Sequence, residues 1–231
     1  MSTIPVFQVY EKILADIQKR AFEPVYLLQG KEPFFIDKIT EALEATVLQE
    51  HEKSFNQTIL YGKETNTMNL LMAARRYPMG ATHQLIVVKE AQHLQDLDKL
   101  EAYLEAPQPS TILVLCIKSE KKLDKRTKLA KLFGKYCIFD SDPLKDFQMK
   151  RWLDNWPRTQ GKTLDALAAE MVTDYLGTDL SLVVNELSKL FINVKDKGCW
   201  QADPGSDQRR QAEQYARGYR DLPGSTHGAR R

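Results

Sequence analysis

Long apolar runs are absent from this chain. Nowhere in its 231 residues do the ~18 consecutive apolar positions of a membrane span occur, and the N-terminus lacks the apolar core of a secretory signal. Cysteine is scarce. Cys116, Cys137 and Cys199 are odd in number and show no C-x-x-C spacing, which argues against a disulfide scaffold or a zinc ribbon. Two of them lie in strand-like runs, so reduced core thiols in a cytoplasmic protein are the expectation. His51, His83, His93 and His227 have no metal-ligand spacing, and no serine or cysteine carries a nucleophile motif. Neither a metal, a cofactor nor a small-molecule substrate is expected. Strong charge of one sign is missing too, and a net +2 does not by itself imply a polyanionic partner. What is present is a soluble globular composition, 42% apolar and 28% charged, with room for one large domain or two small ones.

Glycine is short at the one place where a nucleotide-binding protein would concentrate it. Val25, Tyr26, Leu27 and Leu28 read as a short buried strand, Gly30 frees the backbone for a turn, and Pro33 suits the first helical position, where its missing N–H is no loss. A P-loop of the form Gly-x-x-x-x-Gly-Lys-Ser/Thr supplies several backbone N–H groups, a lysine and a magnesium-binding hydroxyl to the phosphates. Here Gly30 stands alone, Lys31 follows it directly, and Glu32 puts a carboxylate where phosphate would sit. The end of the later buried strand 84–88 fails in a matching way. A P-loop ATPase holds magnesium there with acidic residues, whereas Lys89 brings a cation to the metal-ligand position and Glu90 is left with nothing to act on. Gly30, Lys31, Glu32, Lys89 and Glu90 therefore read as positions of a nucleotide site without its chemistry, and no ligand is expected on them.

Apolar periodicity predicts helices over about 3–20, 35–51, 65–76 and near Leu97, Leu100 and Leu104, with a basic helix over about 124–133. Strands are expected at 25–28, 55–61, 84–88, 111–117 and 136–139. Strands alternating with helices mean α/β architecture, here a five-stranded parallel sheet flanked by helices. After Pro143 the pattern turns all-helical, with one stripe through Leu164, Leu167, Met171 and Tyr175 that Gly177 stops. A second stripe runs through Leu180, Val183, Leu187 and Phe191. The domains expected are 1–143 and 144–197. Residues 199–231 contain no Ile, Val, Phe, Met or Lys, and arginine replaces lysine. That tail reads either as a disordered basic segment or as translation out of frame, with little stable structure in both cases.

Two surface features carry alternatives. Lys121, Lys122, Lys125, Arg126 and Lys128 belong to the largest concentration of positive charge. They form either a solvated face or a contact to DNA phosphates or an acidic partner. Tyr77, Pro78, Met79 and Gly80 form a break between helix and strand, since proline disfavours helix at the residue before it. Their apolar side chains either mark a partner site or tuck under the sheet.

The order and spacing of several of these elements resemble the delta subunit of bacterial DNA polymerase III, a clamp-loader subunit. The resemblance rests on 24–33, on the strand ending in Lys89, Glu90 and Ala91, and on Lys122, Leu123, Asp124, Lys125 and Arg126. Leu176, Gly177, Thr178, Asp179 and Leu180, with Asn185 to Leu190, support it. It implies an AAA+-like domain that has lost ATP binding, then a helical lid and a helical collar. It further implies a non-catalytic subunit of a DNA-directed DNA polymerase (a nucleotidyltransferase). Such a subunit binds and opens the sliding clamp (beta subunit) in DNA replication, beside other loader subunits and with DNA reached through the complex. The clamp-binding pair falls near Met79 and Gly80, with Tyr77 and Pro78 beside them, and Gly80 departs from the large apolar residue expected. The collar and part of the lid are expected to be missing, the chain being shortened or frame-shifted. The rival readings are a DNA-binding module built on the lysine-rich segment and an active P-loop ATPase.

Overall fold

Five apolar runs pair into one parallel sheet in the computed structural model, which describes residues 6–192 and 199–200. The order along the chain is α1 (Val6–Gln18), β1 (Val25–Gly30), α2 (Pro33–Thr46), α3 (Glu50–Asn56), β2 (Gln57–Tyr61), α4 (Thr67–Ala74) and β3 (Gln84–Lys89). Two short 3-10 turns follow, Ala91–His93 and Leu97–Leu100, then α5 (Glu101–Glu105), β4 (Thr111–Lys118), α6 (Lys128–Phe133) and β5 (Cys137–Ser141). The strands lie in the order β2-β3-β4-β1-β5, all neighbours parallel. β1, β3 and β4 are buried along almost their whole lengths, as continuous apolar runs covered on both faces require.

On one face Val25, Leu27, Ile86, Val88, Leu113 and Leu115 join a core with α4, α5 and α6. On the other face the Phe35 ring of α2 lies 4.8 Å from Tyr10 of α1 and 6.2 Å from Phe139 of β5. Thr40 of α2 meets Cys116 of β4 at 3.4 Å. Burial pushes the Cys116 thiol up to about 11. Burial, helped by Glu23 and Asp16, takes Cys137 to about 12. Both stay protonated near neutrality. The helix-flanked parallel sheet read from the sequence is the fold observed, but several boundaries differ. The helix expected to run to about 51 stops at Thr46, and a separate α3 starts where Gln49 N–H is capped by Glu52 at 2.8 Å. Phe55 and Asn56 complete α3, so β2 begins only at Gln57. The basic helix expected over 124–133 is α6 alone. Asp124 takes the Arg126 N–H at 3.0 Å and Thr127 caps Ala130 N–H at 3.1 Å, so local side chains hold the preceding residues in a turn.

The chain divides into two compact units, Met1–Pro143 and Leu144–Arg231. The second contains α7 (Asp146–Thr159), β6 (Thr163–Leu164), α8 (Ala166–Leu176), α9 (Leu180–Ile192) and β7 (Cys199–Trp200). Trp152 and Trp156 stack at 5.3 Å, and Trp156 meets Phe191 of α9 at 6.1 Å. Asp165 caps α8 through Ala168 N–H at 2.6 Å, and Gly177 ends it at φ +69°. β6 and β7 pair in parallel, so Cys199 and Trp200 of the expected structureless tail are strand; the rest of that expectation lies outside the described residues. No helix among the described residues is long and apolar enough to cross a membrane.

Gly30 of β1 has φ +143° and faces Ser141 of β5; a Cβ built there would lie 2.0 Å from Ser141 O and 2.6 Å from Ser141 C. These are backbone atoms of the strand paired with β1 rather than the far end of a flexible side chain. Gly30→Ala should therefore lower unfolding free energy by on the order of 3 kcal/mol or more. An unchanged urea midpoint would show that the two strands part freely here.

Candidate functional site

A parallel sheet sorts its loops: residues following each strand gather at one edge, residues preceding each strand at the other. The C-terminal edge receives Gly30, Lys31, Glu32, Lys89, Glu90 and the lysine-rich segment. The N-terminal edge receives the loop 77–80. The structure thus brings most of the expected residues together and sets the apolar loop apart from them.

At the C-terminal edge Glu32 is the N-cap of α2. Its carboxylate, only 5% exposed, accepts the Phe34 N–H at 3.0 Å, and Pro33 occupies the first helical turn. A negative charge at this position is stabilised by the helix dipole as well as by the bond itself. Ser141 fastens the junction from both sides: its carbonyl accepts the Glu32 N–H at 3.1 Å and its hydroxyl donates to Glu32 O at 2.6 Å. Lys31 points away from the helix end, to Glu120 at 2.5 Å, and this bond holds the Glu120 carboxyl below its usual range. Lys89 ends β3 half-buried, its carbonyl taken by Gly62 N–H at 2.9 Å. Glu90 sits in the left-handed region at φ +54° and faces Lys63 at 3.4 Å and His93 at 4.0 Å.

The lysine-rich segment is largely neutralised by its own neighbours. Lys122 pairs with Asp142 at 2.7 Å, Lys125 with Asp140 at 3.4 Å, and Arg126 with Asp124 at 2.8 Å. Lys128 bridges Glu101 and Glu105 at 3.1 and 3.2 Å. The Arg126 bonds hold Asp124 below the usual carboxylate range, and Glu101, with Glu105 beside it, raises Lys128. These pairs are solvent-screened and weak as stabilisers, yet they leave Lys121 as the exposed cation of the five for which no ion pair is observed among the described residues. Beneath them a cavity of about 330 Å³ is lined by Leu27, Leu123, Ala130 and Ile138, with Gln29, Lys125 and Asp140 at its polar side. Gln29 donates to Asp140 and accepts the Leu123 N–H, both at 2.9 Å.

At the N-terminal edge Tyr77 is 78% and Met79 60% exposed. Gly80 adopts φ +67° with nothing within 4 Å of a Cβ built on it. Tyr77 and Met79 do not tuck under the sheet, while Pro78 between them is half-buried. The loop's backbone is held by residues that no sequence pattern singled out. Asn56, 3% exposed, accepts the Met79 N–H at 2.7 Å and donates to Met79 O at 3.0 Å. Gln84, the first residue of β3, donates to Arg76 O at 2.6 Å and to Thr111 Oγ1 at 2.7 Å. Thr111 in turn donates to Ala74 O at 2.8 Å. Nothing local points from Asn56 to a partner 23 positions away.

A family model described as DNA polymerase III, delta subunit, matches residues 26–141, about half of the chain. The chain is 27% identical over 203 residues to DNA polymerase III subunit delta of Bacillus subtilis (strain 168), covering 83% of this chain and 57% of that protein. Among solved structures it is similar to the Bacillus subtilis DNA clamp loader delta protein, at 26% identity and a TM-score of 0.70, over 84% of this chain and 59% of that one. The chain thus spans less than two thirds of the length of the curated relative it matches.

Removing the Asn56 amide leaves the Met79 N–H and C=O of a partly buried turn without their partner. Asn56→Ala should destabilise the protein by about 1–3 kcal/mol and speed hydrogen exchange selectively at Met79 and Gly80. Exchange at those amides equal to the wild type would refute the role given to Asn56.

Proposed function

We propose, for a chain that belongs to the DNA polymerase III delta-subunit family, that it is a clamp-loader subunit whose loop 77–80 binds the sliding clamp and holds one of its interfaces open. The observation that carries this reading is the exposure of Tyr77 and Met79 on a turn fixed by buried Asn56 and Gln84. An apolar tip on a rigid mount loses little entropy on docking. Each such side chain buried in a partner's pocket contributes about 1.5–3 kcal/mol, enough to bias a strained ring interface.

The work is mechanical, performed without ATP hydrolysis by this chain and without a cofactor. Glu32 supports that part, because a phosphate approaching α2 would have to displace a buried carboxylate from the helix N-terminus. Lys89 supports it as well, as a cation at the end of β3. Division of the chain after Pro143 supports reading 1–143 as a degenerate AAA+-like domain and 144–197 as a helical lid. Its partners are the sliding clamp and other loader subunits, with DNA reached through the assembly, in the cytoplasm. The chain is a non-catalytic part of a DNA-synthesising enzyme.

Titration against labelled Bacillus subtilis sliding clamp tests the central claim. Saturable binding is expected, weakened about tenfold or more by Met79→Ala; a Met79→Ala protein that binds unchanged would remove the loop from the interface. Isolated chain should also bind duplex DNA weakly, with a shallow dependence on salt, because most cations of the lysine-rich segment already face carboxylates. A steep slope of log affinity against log salt, corresponding to four or more phosphate contacts, would instead favour the DNA-binding reading.

A further inference from the structure

Helix α3 is turned inside out with respect to polarity. Its buried residue is the amide Asn56, while the aromatic ring beside it, Phe55, is 69% exposed. Buried polar groups and exposed large apolar ones are the informative exceptions to ordinary burial. Here the two are adjacent and connected to the loop. Asn56 bonds both backbone groups of Met79 and also donates to Glu52 O at 3.1 Å, one helical turn back. Three hydrogen bonds on one buried side chain fix the end of α3 against the loop, so the backbone that carries Phe55 is tied to the backbone that carries Met79. Both lie at the N-terminal edge of the sheet, Phe55 just ahead of β2 and Met79 just ahead of β3. Every exposed large apolar side chain described in the Met1–Pro143 unit falls within residues 55–79. Phe55 is tied to the loop through its neighbour Asn56, and Gly80 contributes no side chain there.

We propose that Phe55 is a second anchor of the clamp-binding surface, docking beside Met79 and held in register with it by Asn56. This rests on the clamp-binding reading of the loop and adds to it a residue from a different element. The partner must offer two adjoining apolar pockets, or one elongated pocket, to receive a thioether and an aromatic ring.

The test uses the full chain and the labelled Bacillus subtilis sliding clamp, with Phe55→Ala, Phe55→Lys, Phe55→Leu and Met79→Ala. Phe55→Ala should weaken binding about tenfold with an unchanged urea midpoint, since the ring is mostly in solvent. Phe55→Lys should weaken it further and Phe55→Leu should restore most of it. Wild-type binding that Met79→Ala weakens while all three Phe55 variants bind alike would overturn the second anchor and leave the loop reading intact. A folded wild-type chain that fails to bind the clamp would overturn the loop reading and this inference with it.

Discussion

The C-terminal end of α4 must be satisfied before anything else at the N-terminal edge can be arranged. A helix leaves its last carbonyls without intrahelical partners, and those of α4 lie against a sheet that excludes water. Gln84 and Thr111, the first residues of two central strands, supply the missing donors to Arg76 O and Ala74 O. They also bond each other at 2.7 Å, so the two donors form one connected knot. Pro78 prevents the helix from continuing, and the chain is forced outward at Tyr77. The exposure of Tyr77 and Met79 is thus a consequence of how a helix end is capped by the sheet beneath it.

Ligands of open α/β sheets ordinarily bind outside the carboxyl ends of the strands. In this chain its own residues occupy much of that edge. Glu32 caps the helix to which a phosphate would otherwise be drawn, Ser141 fills the space over Gly30, and lysines pair with carboxylates across neighbouring loops. Under the proposed function the working surface has moved to the opposite edge, and the parallel sheet serves as a mount. Such a mount suits a protein that presses on a partner.

The two polar anchors of the loop differ in how a substitution would be felt. Gln84 and Thr111 lie in central strands, where the surrounding core constrains them. Asn56 stands at the junction of a short helix and an edge strand, with Met79 across from it. The loop is therefore held firmly where it leaves α4 and by a single side chain at its apex.

Much of the architecture was legible in the residues. The apolar runs at β1, β3 and β4 announced buried parallel strands, Pro33 marked the start of α2, and Gly177 marked the end of α8. That Gly30, Lys31 and Glu32 do not spell a P-loop was readable because that motif requires particular residue types at adjacent positions. These are local properties, set by backbone preference and by periodicity of burial. Only the tertiary structure decided what the polar residues do. Asp124 and Thr127 bind the backbone beside them and shorten the basic helix; the lysines find carboxylates up to 89 residues away; and Asn56 reaches Met79 rather than water. Periodicity reports which residues are apolar, but a hydrogen bond depends on two groups meeting at about 3 Å. Which groups meet is settled by strand order and helix packing, and by no stretch of the sequence taken alone.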